Sequence, residues 1–315
     1  MVELQPSLGL ARGDVFTPVD ARAAGCSTAE IRANLAAGRW VALRRGVYTT
    51  RRVRDRAFAE PYSRHRLLTA AALAAVERPS VASHVSAAVV HGLALVDPPD
   101  DGVHLTTDEG SSHQGPGLSM HCAELGESET TTVAHLPVTA VPRTLFDLGR
   151  RLSFADAVAS IDQALHTETV TAEQLRDTTF LHEAWPGSGT ARRAISFADG
   201  RSESIGESLG RVAIASAGLP APQLQVELHD EQGLIGRTDF LFAEARVVGE
   251  FDGRLKYLTP ADLYHEKRRE DRIRRLNYGV LRFDWTVARF RPRELLGLFR
   301  DAAATVDHRR LARPA

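Results

Sequence analysis

The sequence predicts an α+β multidomain protein on three observations. Two short capped helices and a basic strand pair open the chain, helical and strand periods mix in its middle, and a helix, a three-strand meander, a helix and a strand close it. The divisions that follow are 1–58, a winged helix-turn-helix; 59–185, a mixed α/β middle domain; 186–200, a linker; and 201–315, an α/β sandwich. With 315 residues, 43% of them hydrophobic and 25% charged, the chain has room for two or three such domains. No stretch approaches the length of a membrane-spanning helix, and the opening MVELQPSLGLARGD has no signal-peptide core, so a cytoplasmic protein without a membrane partner is expected. Cys26 and Cys122 offer neither a disulfide framework nor a CxxC metal pair. A formal net charge of −1 means that any nucleic-acid surface must be a local patch.

In the first helix Thr17 is the N-cap, Pro18 takes the first helical position, Asp20 sits in the first turn and Gly25 ends it. Ser27 and Glu30 have capping-box spacing and open the second helix, IRANLAAG, which turns Ile31 and Leu35 inward. The two helices and the Gly-containing turn between them make a helix-turn-helix. RWVALRRGVYTT then alternates apolar and polar residues and turns at Arg44-Arg45-Gly46, a hairpin wing. Residues 39–56 hold seven arginines against the single acid Asp55, which makes this wing the basic patch. Exposed Thr28, Arg32 and Asn34 are expected to approach base edges of double-stranded DNA. Arg44 and Arg45 are expected to contact phosphate, with Arg39 part of the same surface.

In the middle domain Ser83 is expected to cap the helix HVSAAVVHGL, and VHLTT and LSMHC read as strands. RTLFDLGRRL, FADAVASIDQALH and AEQL read as successive helices. Seven histidines fall between 65 and 135, but none has HxxxH spacing, so no zinc site is predicted there. There is no phosphate loop, hence no nucleotide cofactor, and GSG at 187–189 reads as linker.

The last third carries the chemistry. From Glu203, ESIGESLGRVAIASAG is an amphipathic helix with Glu207 in its middle. QLQVELH, LIGRTDFLF and RVVGEFD follow as strands, a helix starts at Thr259-Pro260, and VLRFDW returns as a strand. Glu250 and Asp252, two apart in a strand, share a face, and Asp239 lies between apolar neighbours in the strand before. Several carboxylates on a half-buried face repel one another, so something cationic should neutralise them. Mg2+, or Mn2+, fits Asp239, Glu250 and Asp252 as ligands because it prefers hard oxygens and fills its octahedron with water and phosphate. A salt-bridged sheet is the structural alternative. Two of the 39 basic residues are lysines, Lys256 and Lys267, eleven apart, which marks them as candidates to position an attacking water or to stabilise the pentavalent phosphate.

SESIGESLGRVAIASAGLPAPQLQV, GRTDFLF, VGEFDGRLKY and HEKRREDRIRRLNYGVLRF together resemble the carboxy-terminal domain of actinobacterial proteins related to very-short-patch-repair endonucleases, within the PD-(D/E)XK superfamily. FTPVDARAAGCSTAEIRANLAAGRWVALRRGVY is similar to the winged helix of AbiEi-type antitoxins, and SHVSAAVVHGL with VTAVPRTLFDL to the segment found behind it. The resemblance implies a restriction-endonuclease-like sandwich in which Asp239 is the first motif acid, Glu250 the second and Glu207 the helix acid. The family pattern has Lys where Asp252 stands; here Lys256 comes four residues later and Lys267 comes from the next helix. That departure leaves open a domain that kept the fold and lost catalysis.

Two functions are therefore expected as alternatives. One is a Mg2+-dependent endonuclease hydrolysing DNA phosphodiester bonds, with Glu207, Asp239, Glu250, Asp252, Lys256 and Lys267 at its site. The other is a non-catalytic type IV antitoxin and transcriptional repressor that binds its own promoter and a toxin protein.

Overall fold

The computed structural model describes residues 12–253 and 260–307. Among the described residues the chain is mixed α/β, with thirteen α-helices and sheets of two, six and four strands. It divides into two compact units, Met1–Ala157 with Thr169–Ser196, and Val158–Glu168 with Phe197–Ala315. The segments 1–58 and 59–185, expected as separate domains, fall in the first unit apart from 158–168, which belongs to the second. No described helix is long and apolar enough to cross a membrane.

The first unit begins with α1 (Pro18–Ala23) and α2 (Thr28–Ala36). Both open on reciprocal capping boxes, Thr17 with Asp20 and Ser27 with Glu30, so two backbone donors at each start are satisfied locally. The hairpin β1 (Trp40–Arg44) and β2 (Val47–Thr50) follows. Phe16, Ala21, Cys26, Ile31 and Trp40 form a small core beneath these elements, with the Phe16 and Trp40 rings edge to face at 4.7 Å.

Helices α3 (Arg51–Ala57) and α4 (Pro61–Ala75) lead to β3 (Val81–Ala82), α5 (His84–His91), β4 (Val103–Thr107), β5 (His113–Gly115), β6 (Leu118–Cys122), β7 (Thr130–Val133) and β8 (Leu136–Thr139). The six strands run in the order β5-β6-β4-β3-β8-β7. Leu105, Val138, Ala71 and Ala87 share one core cluster. Next come α6 (Val141–Arg151), α7 (Phe154–His166), α8 (Ala172–Leu181) and α9 (Ser188–Phe197).

Much of the segment read as a linker, 186–200, is therefore helix. Gly187 sits at φ +83 against the backbone of Arg150, and Ala191 packs so tightly on Gly149 that a Cβ there would lie 2.9 Å away. Trp185 packs on His182 at a tilt of 36°, with ring centroids 4.0 Å apart, and the Arg143 guanidinium lies 4.4 Å from its ring centre. Small residues and a Trp-Pro turn, which suggest a flexible spacer, here serve close packing.

The second unit contains α10 (Ile205–Ser216), β9 (Gln223–Asp230), β10 (Gly233–Phe242), β11 (Val247–Asp252), α11 (Pro260–Arg275), β12 (Gly279–Asp284), α12 (Trp285–Phe290) and α13 (Glu294–Ala304). The sheet order is β12-β11-β10-β9. Strands β9 to β11 are antiparallel, while β12 pairs parallel to β11, which α11 permits as the crossover between them. Ile273 of α11 packs with Leu228, Ile235, Leu241 and Val248 of the sheet.

Helix α10 reaches the sheet because two of its positions lack side chains. A Cβ on Gly206 would lie 2.1 Å from the Phe251 ring, and one on Gly210 would lie 2.9 Å from Phe283. Asp162 of α7, buried, binds Arg211 of α10 at 2.8 Å and accepts the Asp199 N–H at 2.7 Å. Helix α10 starts at Ile205 with Ser204 as N-cap, so Glu207 lies in its first turn and not in its middle.

Candidate functional site

The three acids read from the sequence line one pocket of about 740 Å3 in the second unit. The β10–β11 ladder ends at Phe240 and Gly249, and strand parity puts the next residues, Asp239 and Glu250, on one face at its open end. Asp252 lies on the same face of β11 as Glu250. Asp239 accepts the Phe251 N–H through Oδ2 at 2.7 Å.

Arginines supply the cationic counterpart. Arg269 of α11 donates to Glu250 Oε1 at 2.9 Å and to the Arg237 carbonyl at 2.8 Å. Arg282 of β12 lies 3.4 Å from Asp252 Oδ1 and 2.5 Å from Glu266 Oε1. Glu250 is 5% exposed, so the guanidinium offsets a desolvation that would otherwise cost about 1–3 kcal/mol or more. Gly236, at φ +146 in the strand bulge, leaves the path open: a Cβ there would meet Arg269 Nε at 2.9 Å.

Glu207 accepts the Glu203 N–H at 2.9 Å, the Ser204 hydroxyl at 2.8 Å and the Gln225 amide at 2.7 Å. Burial raises its pKa above the ordinary carboxylate value, and the negative charge of Asp239 pushes it the same way despite those hydrogen bonds. Lys267 is exposed on α11 and does not line the pocket. Lys256 lies outside the described residues.

On the amino-terminal surface Thr28, Arg32 and Arg45 are exposed. Asn34 is not: it is buried, and its Oδ1 accepts from Nε of Arg39 at 2.6 Å. The expectation that Asn34 meets base edges is thus corrected, because this side chain anchors Arg39 at the start of the hairpin. Arg39 is exposed but held in that bond. Arg44 is half-buried and donates to the Gly117 carbonyl at 2.6 Å, a contact across 73 residues of chain, so its guanidinium braces the unit instead of standing free for phosphate.

One constellation was missed in the sequence. His84, His104 and His121 each bring a ring nitrogen within 4.8 Å of the other two. Burial holds all three imidazoles below their ordinary pKa, His104 and His121 at about 4, and neighbouring arginine charge acts in the same direction. Among the described residues this is the group of three or more His, Cys, Asp or Glu donors with such spacing; the pocket acids do not form one. The signal was absent because the parallel pairing of β4 with β6 is non-local, and no spacing rule for a single helix or loop reports it.

No family model matches the chain. Two uncharacterized proteins of Mycobacterium tuberculosis, from strains H37Rv and CDC 1551, are similar to it, each 29% identical over 143 residues that make up 45% of this chain and 53% of their own. The chain spans about half the length of the curated relatives it matches.

Proposed function

We propose that the chain binds double-stranded DNA through a winged helix-turn-helix formed by α1, α2 and the β1-β2 hairpin. The second unit, on this reading, is a restriction-endonuclease-like sandwich related to very-short-patch-repair endonucleases that hydrolyses phosphodiester bonds. The observation that carries the proposal is the placement of Asp239 and Glu250 just beyond the end of the β10–β11 ladder, at the wall of one arginine-rich open pocket. Exposed Thr28, Arg32 and Arg45 provide the DNA-facing side chains.

By ligand chemistry Asp239, Glu250 and Asp252 suit Mg2+ or Mn2+, since they offer only hard carboxylate oxygens, but those oxygens do not gather around one point while Arg269 and Arg282 hold two of the acids. When bound, such an ion supplies Lewis acidity to a phosphate and lowers the pKa of a water. The chain's own residues do the rest. Arg269 and Arg282 neutralise Glu250 and Asp252, and their planar guanidiniums would suit the oxygens of a phosphate beside the same acids. Glu207 holds Gln225 in place and keeps α10 seated at the edge of the site.

Incubation of the purified chain with supercoiled plasmid, in Mg2+, Mn2+ or chelator, tests this. Metal-dependent nicking is expected, reduced about a hundredfold or more in Glu250→Gln and Asp239→Asn.

A second reading, a type IV antitoxin that represses its own promoter and binds a toxin, is favoured by one observation. Glu250 and Asp252 each already have an arginine partner, as a salt-bridged sheet requires. A gel shift of DNA without nicking under any metal condition would select it.

A further inference from the structure

Three imidazoles that the proposed DNA chemistry does not use converge in the first unit. His104 lies in β4 and pairs with Ser119 of the parallel strand β6; His121, two residues further along, is its diagonal neighbour on the same face. His104 Nδ1 and His121 Nε2 are 3.0 Å apart, and the rings of His84 and His121 stack with centroids 4.1 Å apart. His84 opens α5 in the left-handed region at φ +50, a conformation that a non-glycine residue adopts only where its surroundings hold it. The Ser83 N–H donates to the His104 carbonyl at 3.0 Å, and the Ser83 hydroxyl lies 3.0 Å from His84 Nδ1, so the Nε2 side of His84 remains for a ligand.

The chemistry of the donors narrows what they hold. Three nitrogens and no carboxylate suit zinc and its neighbours among the divalent transition metals, and suit Mg2+ or Ca2+ poorly. His84 and His121 line a pocket of about 360 Å3 together with Arg143, Arg150 and Arg151. Those arginines repel a cation held by charge alone, which strengthens the preference for an ion with strong nitrogen bonds. Asp147 lines the pocket too and pairs with Arg143 and Arg150, so the charge that draws an anion to an open coordination position comes mainly from Arg151. Cys122 lines the same pocket, but its thiol is directed to the Gly110 carbonyl at 3.2 Å.

We propose that His84, His104 and His121 bind one zinc-class divalent ion whose fourth position faces the arginine-lined pocket and takes water or an anionic ligand. The site is independent of the carboxylate pocket.

The untagged full chain, stripped with chelator and titrated with Co2+, tests this. In excess Mg2+, which occupies the carboxylate pocket on the proposed reading, one Co2+ per chain is expected, with the intense visible absorption of a four-coordinate site that Zn2+ displaces. Asp239→Asn should bind as the wild type does, and His104→Gln and His121→Gln should lose the band. X-ray absorption of the Zn2+-loaded wild type reads the ligands without any variant, and a first shell with three imidazoles is expected. A wild type that takes up no Co2+, a first shell of oxygen or sulfur, or a band that survives in both folded histidine variants would overturn the assignment and leave a hydrogen-bonded imidazole cluster.

Discussion

Arginine meets carboxylate in both units, in different surroundings. In the first, Arg143 lies 3.0 Å from both Glu129 and Asp147, and the three side chains are 2%, 8% and 0% exposed. Arg150 adds a second contact to Asp147, and His182 closes on Glu129. In the second unit Arg269 and Arg282 pair with Glu250, Glu266 and Asp252 on the wall of an open pocket. The first set is almost wholly buried and fixes the packing of α6, with Arg143, Asp147 and Arg150 closing one wall of a smaller pocket; the second stands at a wider opening, where on the proposed reading an ion or a phosphate would replace a guanidinium. Access, more than the identity of the paired groups, separates a scaffold from a site.

The strongest challenge to this contrast is Asp147→Ala, which leaves Arg143 buried beside Glu129 alone. It should cost about 3–5 kcal/mol in denaturant unfolding followed by Trp fluorescence, and Arg143→Met with Asp147→Leu should recover much of it. A loss below about 1 kcal/mol would make the two networks equivalent. Arg269→Leu comes next. It should cost about 1–3 kcal/mol by removing the guanidinium that donates to the buried Glu250, and added Mn2+ should raise the melting temperature of this variant more than that of the wild type. An equal metal response in both proteins would count against exchange at the pocket.

A smaller effect separates neighbouring arginines of the hairpin. Arg44→Ala should lower stability by about 1 kcal/mol and leave the salt dependence of DNA binding unchanged. Arg45→Ala should leave stability intact and flatten the salt slope by about one unit. The mildest test is Glu207→Gln. Because burial raises the folded-state pKa of Glu207, its contribution is fully present below the ordinary value of 4.5 and is lost as the pH rises through the folded value. Glu207→Gln should therefore show less decline in melting temperature than the wild type as the pH rises above about 4.5; parallel pH curves would remove the burial effect from the account.

What the sequence made legible was local. Capping boxes at Thr17 and Ser27 fix where helices begin, the Arg-Gly turn fixes a hairpin, and strand parity places Glu250 and Asp252 on one face. Asn34 escaped because α2 alone does not say that Arg39 folds back on it, and Arg44 escaped because Gly117 is remote in the chain. The histidine cluster and the helix at Ser188–Phe197 depend on pairings that no single segment encodes. The carboxylates were found because their strands are consecutive.

The seat of α10 has a consequence for sorting relatives. Acids at the positions of Asp239 and Glu250 can be kept for structure alone, one for the Phe251 N–H and the other for its salt bridge to Arg269, so their presence says little about descent of an activity. Gly206 has no such second use: the Phe251 ring occupies the space that even a methyl group would need. A related chain with a larger residue there has moved the helix or remodelled the strand beneath it, and one small position thereby serves as a marker of which lineages still carry this pocket.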